Sequence, residues 1–200
     1  MILLGINDLA RREQARELLA WGAERYWGLS PLPQIAAGER GKPWFPACPQ
    51  RHFNLSHSGK LALCALADEE VGVDIQEMRA AWRPSLVERT CRPEERAWLA
   101  SLGDRGEDFA QLWALKESAG KQTGYGLPYP PSRQAVPVPP LGEPYDPGQI
   151  YTLGEIQFRV YLGGNWRGAA CGLEVPPQEI QWVSGLGKEI SPLQGEENLL

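Results

Sequence analysis

The sequence predicts an α+β fold, in which short strands and longer helices follow one another along 200 residues. Two segments repeat apolar residues with a helical period, and several short apolar runs have the length of buried strands. Turn-rich segments between the strands predict hairpins. At this length the chain forms one large domain or two small ones, and it is long enough to bury a core.

The first 75 residues are expected to contain a strand, a helix and an extended segment. Residues 1–6 are apolar and predict the first strand. Asn7 or Asp8 can cap a helix over residues 9–27. Residues 53–75 hold short apolar runs around a polar turn, which predicts a hairpin or a meander.

The rest of the chain is expected to form helices, a long loop and a second hairpin. The strongest helix is predicted over residues 108–122, and shorter ones over 93–101 and from Pro84. Residues 127–148 contain eight prolines and predict an irregular surface loop. The remaining predicted elements are a hairpin of residues 156–161 and 167–175, an edge strand at 180–183 and a flexible tail at 185–200.

Composition narrows the classes of function. Acidic residues outnumber basic ones by 25 to 20, which gives a net charge of −5. Nucleic-acid binders usually carry a basic balance or stripe, so nucleic acid is not expected as a partner. The four cysteines form no C-x-x-C pair, and reduced thiols fit a cytoplasmic protein. The apolar N-terminus is too short for a signal peptide or a membrane span.

The helix over residues 108–122 carries a carboxylate and an ammonium on one face. Glu117 and Lys121 are four residues apart, so their side chains lie on the same side of the helix. Spacing alone favours an ordinary surface ion pair over a catalytic role.

Asp74 lies within an otherwise apolar strand, residues 71–75. Burying a carboxylate is costly unless another group pairs with it. Two explanations are equally open at this stage. The side chain meets a metal or a cation, or it lies at a strand end where it meets solvent or a cap.

Residues 53–59 place two serines around one of only two histidines, just before a strand. Such a turn can bind phosphate through backbone N–H groups, hydroxyls and an imidazole. An ordinary Ser-rich turn is the alternative. Because the side chains of Ser56 and His57 would point apart in an extended strand, a Ser-His-Asp triad is not indicated.

Taken together, these segments offer two carboxylates, an ammonium, hydroxyls and an imidazole. Two carboxylates can hold Mg²⁺, which keeps several waters and bridges phosphate oxygens. Lys121 and His57 can neutralise charge that develops on a pyrophosphate. The set suits phosphoryl-type transfer without naming a substrate.

Four segments in this order resemble the Sfp-type 4′-phosphopantetheinyl transferases. They are G-K-P at 41–43, F-N-L-S-H-S-G at 53–59, V-G-V-D-I at 71–75 and W-A-L-K-E-S-A-G-K at 113–121. Each segment alone is a weak signal. Their order and spacing, over about residues 10 to 183, make the resemblance specific.

The resemblance implies a pseudo-dimer of two similar α/β halves, each a small antiparallel sheet packed with a long helix. The halves would be residues 1–72 and 73–184, and residues 185–200 would be a flexible tail. Coenzyme A would bind in the cleft between the halves of a monomer. A weak repeat agrees with this, because residues 60–66 and 167–173 share Ala, Cys and Leu in register.

The resemblance also implies a reaction. The serine hydroxyl of an apo acyl or peptidyl carrier protein would attack the β-phosphate of coenzyme A, and 3′,5′-ADP would leave. The carrier would serve fatty-acid, polyketide or peptide biosynthesis. The implied metal ligands are Asp74, Glu117 and Gln76 for Mg²⁺, and the implied coenzyme A contacts are Lys42, Ser56, His57 and Lys121. Glu117 would help to deprotonate the serine, and Lys121 would stabilise the leaving charge.

Gln76 departs from the family pattern, because many relatives have Glu at this position. An amide oxygen can bind Mg²⁺ but brings no charge. One alternative is therefore a catalytically weak relative that only binds carrier protein or coenzyme A. Another is a metal-dependent pyrophosphate hydrolase that uses the same carboxylates.

Overall fold

The computed structural model describes residues 1–38, 40–78, 84–125 and 131–186. The helices are α1 (Glu13–Trp27), α2 (Pro84–Thr90), α3 (Pro93–Ser101) and α4 (Gly106–Thr123). The strands are β1 (Ile2–Ile6), β2 (Ala36–Ala37), β3 (Pro43–Trp44), β4 (His52–Ser58), β5 (Leu61–Ala67), β6 (Val71–Glu77), β7 (Tyr151–Leu153), β8 (Ile156–Leu162), β9 (Trp166–Gly172) and β10 (Gln181–Trp182). These elements confirm the predicted α+β class. Residues 127–130 of the predicted loop and 187–200 of the predicted tail lie outside the described ranges.

The first main sheet has the strand order β10-β1-β5-β4. β4 and β5 form the predicted hairpin, and β1 runs antiparallel to β5. β10 is the predicted edge strand, but it pairs with β1 in parallel. The prediction of a purely antiparallel sheet is therefore wrong here, because β10 comes back from the end of the chain and adds to the outer side of β1.

Helix α1 begins at Glu13, four residues later than predicted, and neither Asn7 nor Asp8 caps it. The backbone N–H of Leu9 donates to the carbonyl oxygen of Lys60 at 2.9 Å. Leu9 is therefore tied to the turn between β4 and β5 and is not available to the helix.

The second main sheet has the order β6-β9-β8-β7, and all its pairs are antiparallel. The hairpin of β8 and β9 is confirmed. β6 does not extend the first sheet, as a meander would require, but pairs with β9 over its whole length. The polar turn after β5 thus carries the chain from one sheet to the other.

The proline-rich stretch has no helix longer than one 3₁₀ turn before β7 in its described part, so its irregular structure is confirmed. Its placement wholly on the surface is wrong, because Val136 and Tyr145 are buried in the core beneath α4. Tyr145 donates its hydroxyl hydrogen to the carbonyl of Pro137 at 2.6 Å. The Tyr145 ring also packs edge-on against the rings of Trp98 and Tyr151. These contacts and the hydrogen bond fix this part of the stretch against the core.

The two sheets share one order of elements. In the first, β1 and α1 are followed by the β4–β5 hairpin; in the second, β6 and α4 are followed by the β8–β9 hairpin. In each, the first strand pairs antiparallel with the last, and Cys64 and Cys171 lie fully buried on those last strands. This order agrees with two similar halves; their twofold relation and the boundary at residues 72 and 73 stay predictions.

Helix α4 packs directly on β6 and β9, and Gly72 is the point of closest approach. A Cβ atom at Gly72 would lie 1.9 Å from the carbonyl oxygen of Ser118 and 2.6 Å from the backbone nitrogen of Gln122. Only glycine leaves room for the helix backbone at this distance. The last turns of α4 are thereby held next to the residues that follow Gly72 on β6.

Replacing Gly72 by alanine is expected to lower the free energy of unfolding by about 2 kcal/mol, because the added methyl group forces the helix and strand apart. Urea unfolding followed by circular dichroism measures this change. Gly164→Ala is the matched control, since a Cβ there meets no atom within 4 Å. Its unfolding free energy should change by less than about 0.5 kcal/mol. Equal effects in the two variants would contradict the assignment of Gly72 as a packing constraint.

Candidate active site

The candidate site lies where the two sheets meet edge to edge. β4 is the outer strand of the first sheet, and β6 is the outer strand of the second. Three side chains of β4 accept hydrogen bonds from backbone N–H groups of β6: Asn54 from Val73 (3.1 Å), Ser56 from Ile75 (3.3 Å) and Ser58 from Glu77 (3.0 Å). We call these three residues the β4 ladder. They hold β6 in register beside β4.

Asp74 lies at the centre of this junction and is only 2% exposed. Its Oδ1 accepts hydrogen bonds from Ser56 Oγ at 2.7 Å and Lys121 Nζ at 2.6 Å. Its Oδ2 accepts one from the Gln76 amide at 2.7 Å. Of the two explanations left open for Asp74, contact with a cation is confirmed.

Lys121 lies on the last turns of α4 and points toward β6. Besides Asp74, its ammonium donates to Ser56 Oγ at 2.9 Å and to the carbonyl of Val73 at 3.2 Å. The ordinary surface pair with Glu117, which spacing favoured, is therefore wrong. The close packing of α4 at Gly72 places Lys121 within reach of a strand that sequence separation does not reveal.

Glu117 lies one turn before Lys121 and is half-buried. Burial raises the pKa of its carboxyl group, the negative charge of Asp74 raises it further, and the ammonium of Lys121 acts in the opposite direction. Its carboxylate makes no hydrogen bond with another described residue. Asp74 and Glu117 thus form a pair of carboxylates close enough to repel each other.

The donor set suits a small divalent cation. Within the described ranges no three His, Cys, Asp or Glu side chains cluster as a metal site. The charged ligands available to a cation here are therefore the two carboxylates of Asp74 and Glu117. Mg²⁺ is commonly held by one or two carboxylates while it keeps several waters. Gln76 lies beside them, although its amide nitrogen is the atom that contacts Asp74. Its role as a ligand stays a prediction.

A groove of about 230 Å³ opens beside Lys121. Its lining comes from the turn between β2 and β3, from β4 and from the end of α4, and includes Arg40, Gly41, Lys42, Pro43, Asn54, Leu55, Gly120, Lys121 and Gly124. The positive charges of three of these side chains make the groove suitable for an anionic ligand. Lys121 both lines the groove and contacts Asp74, so it connects the groove with the carboxylate pair.

Lys42 also lines this groove. It donates to the carbonyl of Gln122 at 2.6 Å and of Val71 at 3.2 Å, and it pairs with Glu70. A cation at the carboxyl end of α4 is also favoured by the helix dipole. Arg40 lies nearby, 3.5 Å from the centre of the Tyr125 ring.

Ser56 and His57 lie on a strand and not in a turn, so that part of the prediction is wrong. β4 pairs with β5 from His52 to Ser58, and the turn comes only afterwards. The two side chains point apart, as expected for extended backbone. Ser56 is buried against Asp74, whereas His57 is exposed and does not line the groove.

Several candidate residues were missed by sequence reasoning. Asn54 and Ser58 belong to the β4 ladder, Arg40 lines the groove, and Gly72 sets the position of α4. The alternation of polar residues at 54, 56 and 58 was a usable signal, because it places all three on one face of a strand. Nothing in the sequence shows which strand that face meets.

A buried ion pair fixes the opposite side of α4. Lys116 donates to both carboxylate oxygens of Glu95, at 2.6 and 2.7 Å, and to the carbonyl of Gln134 at 2.8 Å. Both side chains are 1% exposed. Burial lowers the pKa of Lys116 and raises that of Glu95, and their mutual contact opposes both shifts. The pair joins α3, α4 and the proline-rich stretch next to Glu117.

Comparison with known proteins shows a similarity to one family. Residues 70–165 match the family model of the 4′-phosphopantetheinyl transferase superfamily, a segment that contains Asp74, Glu117 and Lys121. The chain is similar to this superfamily over that segment, which is just under half of its length. The matched segment begins after Lys42 and the β4 ladder, so it does not cover the first half of the groove.

Curated members of the superfamily align with about half of the chain. A 4′-phosphopantetheinyl transferase of Bacillus subtilis is 38% identical over 116 residues, which are 56% of this chain and 51% of the relative. Sfp of B. subtilis strain 168 is 38% identical over 98 residues, 48% of this chain and 44% of Sfp. AcpT of Escherichia coli K12 is 40% identical over 139 residues, which are 60% of this chain and 64% of AcpT. The chain spans about half the length of the first two.

No helix in the described part of the chain is both long and apolar enough to cross a membrane.

Replacing Lys116 by methionine is expected to lower the free energy of unfolding by about 3–5 kcal/mol, because Glu95 is left buried and unpaired. The double variant Glu95→Gln/Lys116→Met removes both charges and keeps an acceptor for the Arg92 backbone N–H. Its free energy of unfolding should therefore fall less than that of Lys116→Met. Urea unfolding measures both.

The matched control is Arg11→Met, since Arg11 pairs with Glu17 at 2.6 Å but is 51% exposed. This substitution should lower the free energy of unfolding by about 1 kcal/mol or less. Equal losses in Lys116→Met and Arg11→Met would show that the buried pair contributes no more than a surface one.

Proposed function

We propose that this chain transfers the 4′-phosphopantetheine arm of coenzyme A to a serine of an apo acyl or peptidyl carrier protein, and that it requires Mg²⁺. The observation that carries the proposal is that Asp74 and Glu117 both interact with Lys121, which lines a basic groove. The match of residues 70–165 to the superfamily supports the same reaction. In the proposed reaction the serine oxygen bonds to the β-phosphorus, and the bond from that phosphorus to 3′,5′-ADP breaks.

The groove is the proposed site for coenzyme A. Lys121 would contact the pyrophosphate and stabilise the charge that develops on the leaving group. Lys42, with Arg40 beside it, would contact the nucleotide end. His57 and Ser56 are also expected to bind coenzyme A, although His57 lies outside the groove lining and Ser56 is already engaged by Asp74 and Lys121.

Asp74 and Glu117, with Gln76, would hold the metal. When bound, Mg²⁺ would neutralise negative charge on the pyrophosphate oxygens. Glu117 would take the proton of the attacking serine, directly or through a water. Burial and the negative charge of Asp74 raise the pKa of this carboxyl group, and a bound cation would oppose that shift.

A chain that only binds coenzyme A or a carrier protein is the second candidate function. Gln76 is the observation that favours it, because one expected negative charge is absent beside Asp74. The intact set of Asp74, Glu117 and Lys121 supports transfer over binding alone. A monomer in the cytoplasm is the proposed working form, and nucleic acid and membranes are not proposed as partners.

Incubation of an apo carrier protein with this chain, coenzyme A and Mg²⁺ is expected to add one phosphopantetheine arm to the carrier. Intact-mass spectrometry detects the added mass directly. Glu117→Gln should lower the rate by about 10²–10⁴-fold, the range expected when a general base is removed. Glu179→Gln is the matched control, because Glu179 is an exposed glutamate that does not line the groove, and it should leave the rate unchanged.

Two outcomes would overturn the proposal. If coenzyme A binds measurably but no fatty-acid, polyketide or peptide-synthetase carrier in a broad panel gains mass, the binding function is favoured. If 3′,5′-ADP is released when no carrier is present, the chain is a pyrophosphate hydrolase.

Replacing Gln76 by glutamate is expected to lower the Mg²⁺ concentration needed for half-maximal transfer by about tenfold, because a third carboxylate strengthens the attraction for the cation. A titration of the transfer rate with Mg²⁺ measures the shift. Gln157→Glu, which adds a charge on β8 well away in sequence and sheet order, is the control. An unchanged Mg²⁺ requirement in Gln76→Glu would place residue 76 outside the metal site.

A further inference from the structure

Lys42 lines the groove, and its ammonium group already makes three hydrogen bonds within the protein. It donates to the backbone carbonyls of Gln122 at 2.6 Å and Val71 at 3.2 Å, and to the carboxylate of Glu70. A lysine ammonium group has three hydrogens to donate. A phosphate oxygen can therefore be contacted only if one of these three bonds is given up.

Glu70 is the partner that is free to move. The carbonyl of Val71 belongs to the first residue of β6, and that of Gln122 lies in the last turn of α4, so regular backbone structure fixes both. The Glu70 side chain lies on the connection between β5 and β6 and is 50% exposed. A phosphate that reached Lys42 would displace this carboxylate and leave both carbonyls in place.

A second basic group lies beside the Glu70 carboxylate. Lys42 contacts Oε2, and the Nδ1 atom of His52, at the start of β4, is 3.5 Å from Oε1. This distance is long for a hydrogen bond, so the carboxylate can still draw closer to His52. The charge of a histidine changes near neutral pH, and a neighbouring carboxylate favours its charged form.

The other charged groups at this end of the first sheet are engaged elsewhere or exposed. They are the Arg51–Asp68 pair, the N-terminus with Glu174, Arg40 over the Tyr125 ring, and the exposed Glu69. Among the described residues, Glu70 is the one carboxylate that forms an ion pair with His52. The protonation of His52 therefore depends on whether Glu70 is shared with Lys42.

We propose that Glu70 competes with a phosphate of coenzyme A for Lys42, and that its displacement makes His52 take up a proton. When the phosphate replaces the carboxylate on Lys42, the charge of Glu70 loses its lysine partner and lies close to the phosphate charge. A proton from the solvent, bound at the imidazole of His52, compensates that charge. The inference rests on the proposed site of coenzyme A in the groove.

The proposal fixes the sign of a pH dependence. The bound state holds more protons than the free state, so affinity for coenzyme A should rise as the pH falls through the range in which His52 titrates. The ligand's own phosphate also titrates near neutral pH, and the loss of its charge at low pH acts in the opposite direction. A comparison with a variant that lacks His52 removes this contribution, because the ligand is the same in both.

Glu69 provides a matched control for Glu70. The two glutamates are neighbours on the same exposed connection, but the contacts with Lys42 and His52 belong to Glu70. Glu70→Gln and Glu69→Gln remove the same charge from the protein. They differ in whether Lys42 and His52 lose a partner.

The test measures coenzyme A binding to the complete chain by titration calorimetry in EDTA, in wild type, Glu70→Gln, Glu69→Gln and His52→Gln. Titrations in two buffers of different ionisation enthalpy, at about pH 7, count the protons taken up. Wild type and Glu69→Gln should both take up a fraction of a proton. Glu70→Gln should take up less and bind about three- to fivefold more tightly, the range of a half-exposed ion pair.

His52→Gln should bind coenzyme A more weakly than wild type at about pH 6 and equally well at about pH 8, where histidine is neutral. Nuclear magnetic resonance gives an independent readout, because the chain has only two histidines. Coenzyme A should move the ring signals of His52 toward their protonated positions. The movement should be much smaller in Glu70→Gln, and a purely structural role of Glu70 would not produce this pattern.

Three results would overturn the inference. Equal affinities and equal proton uptake in Glu70→Gln and Glu69→Gln, in a chain whose wild type binds coenzyme A, would overturn it alone. Full proton uptake in Glu70→Gln would show that His52 responds to the phosphate without Glu70. A wild type that does not bind coenzyme A would overturn the proposed function, and the inference with it.

Discussion

The close approach of α4 to β6 at Gly72 is the constraint on which the candidate site depends. Because a Cβ atom there would lie 1.9 Å from the Ser118 carbonyl oxygen, the helix backbone rests on the strand itself and not on a layer of side chains. A helix one side-chain layer further out would hold Lys121 away from Asp74. The 2.6 Å contact between these two residues, and the repulsion between Asp74 and Glu117, both follow from that distance.

The same junction explains why polar groups are buried between two sheets with apolar cores. Edge strands leave backbone N–H groups unpaired, and burial makes such groups costly unless acceptors reach them. The β4 ladder satisfies three of these groups on β6. A hydrophobic β4 would pack on β6 equally well but would leave those N–H groups unsatisfied. The alternating polar face is thus a structural requirement at this place, and Ser56 serves the carboxylate in addition.

The sequence predicted the element types well, because helical and strand periods are local properties. The strongest helix, both hairpins and the late edge strand were found. The side chains that converge on the site had been named, except Asn54, Ser58 and Arg40. The sequence did not predict which strand pairs with β6 or with β1. The pairing of β6 with β9 joins residues about a hundred positions apart, and β10 returns in parallel to β1. Leu9 shows the same limit at smaller scale, since its bond to Lys60 overrides a good helix-capping signal.

Charge balance around Asp74 connects the departure at Gln76 with the rest of the site. Two carboxylates and one ammonium leave the described cluster of Asp74, Glu117 and Lys121 with one net negative charge, and Gln76 adds none. A glutamate at residue 76 would add a second, in a place where Glu117 already has a raised pKa from burial and from Asp74. The neutral amide instead donates to Asp74 Oδ2 and so reduces repulsion within the protein. The cluster is therefore expected to be stable without a cation. It is also expected to attract a cation less strongly than it would with glutamate at residue 76, and both properties come from the Gln76 amide.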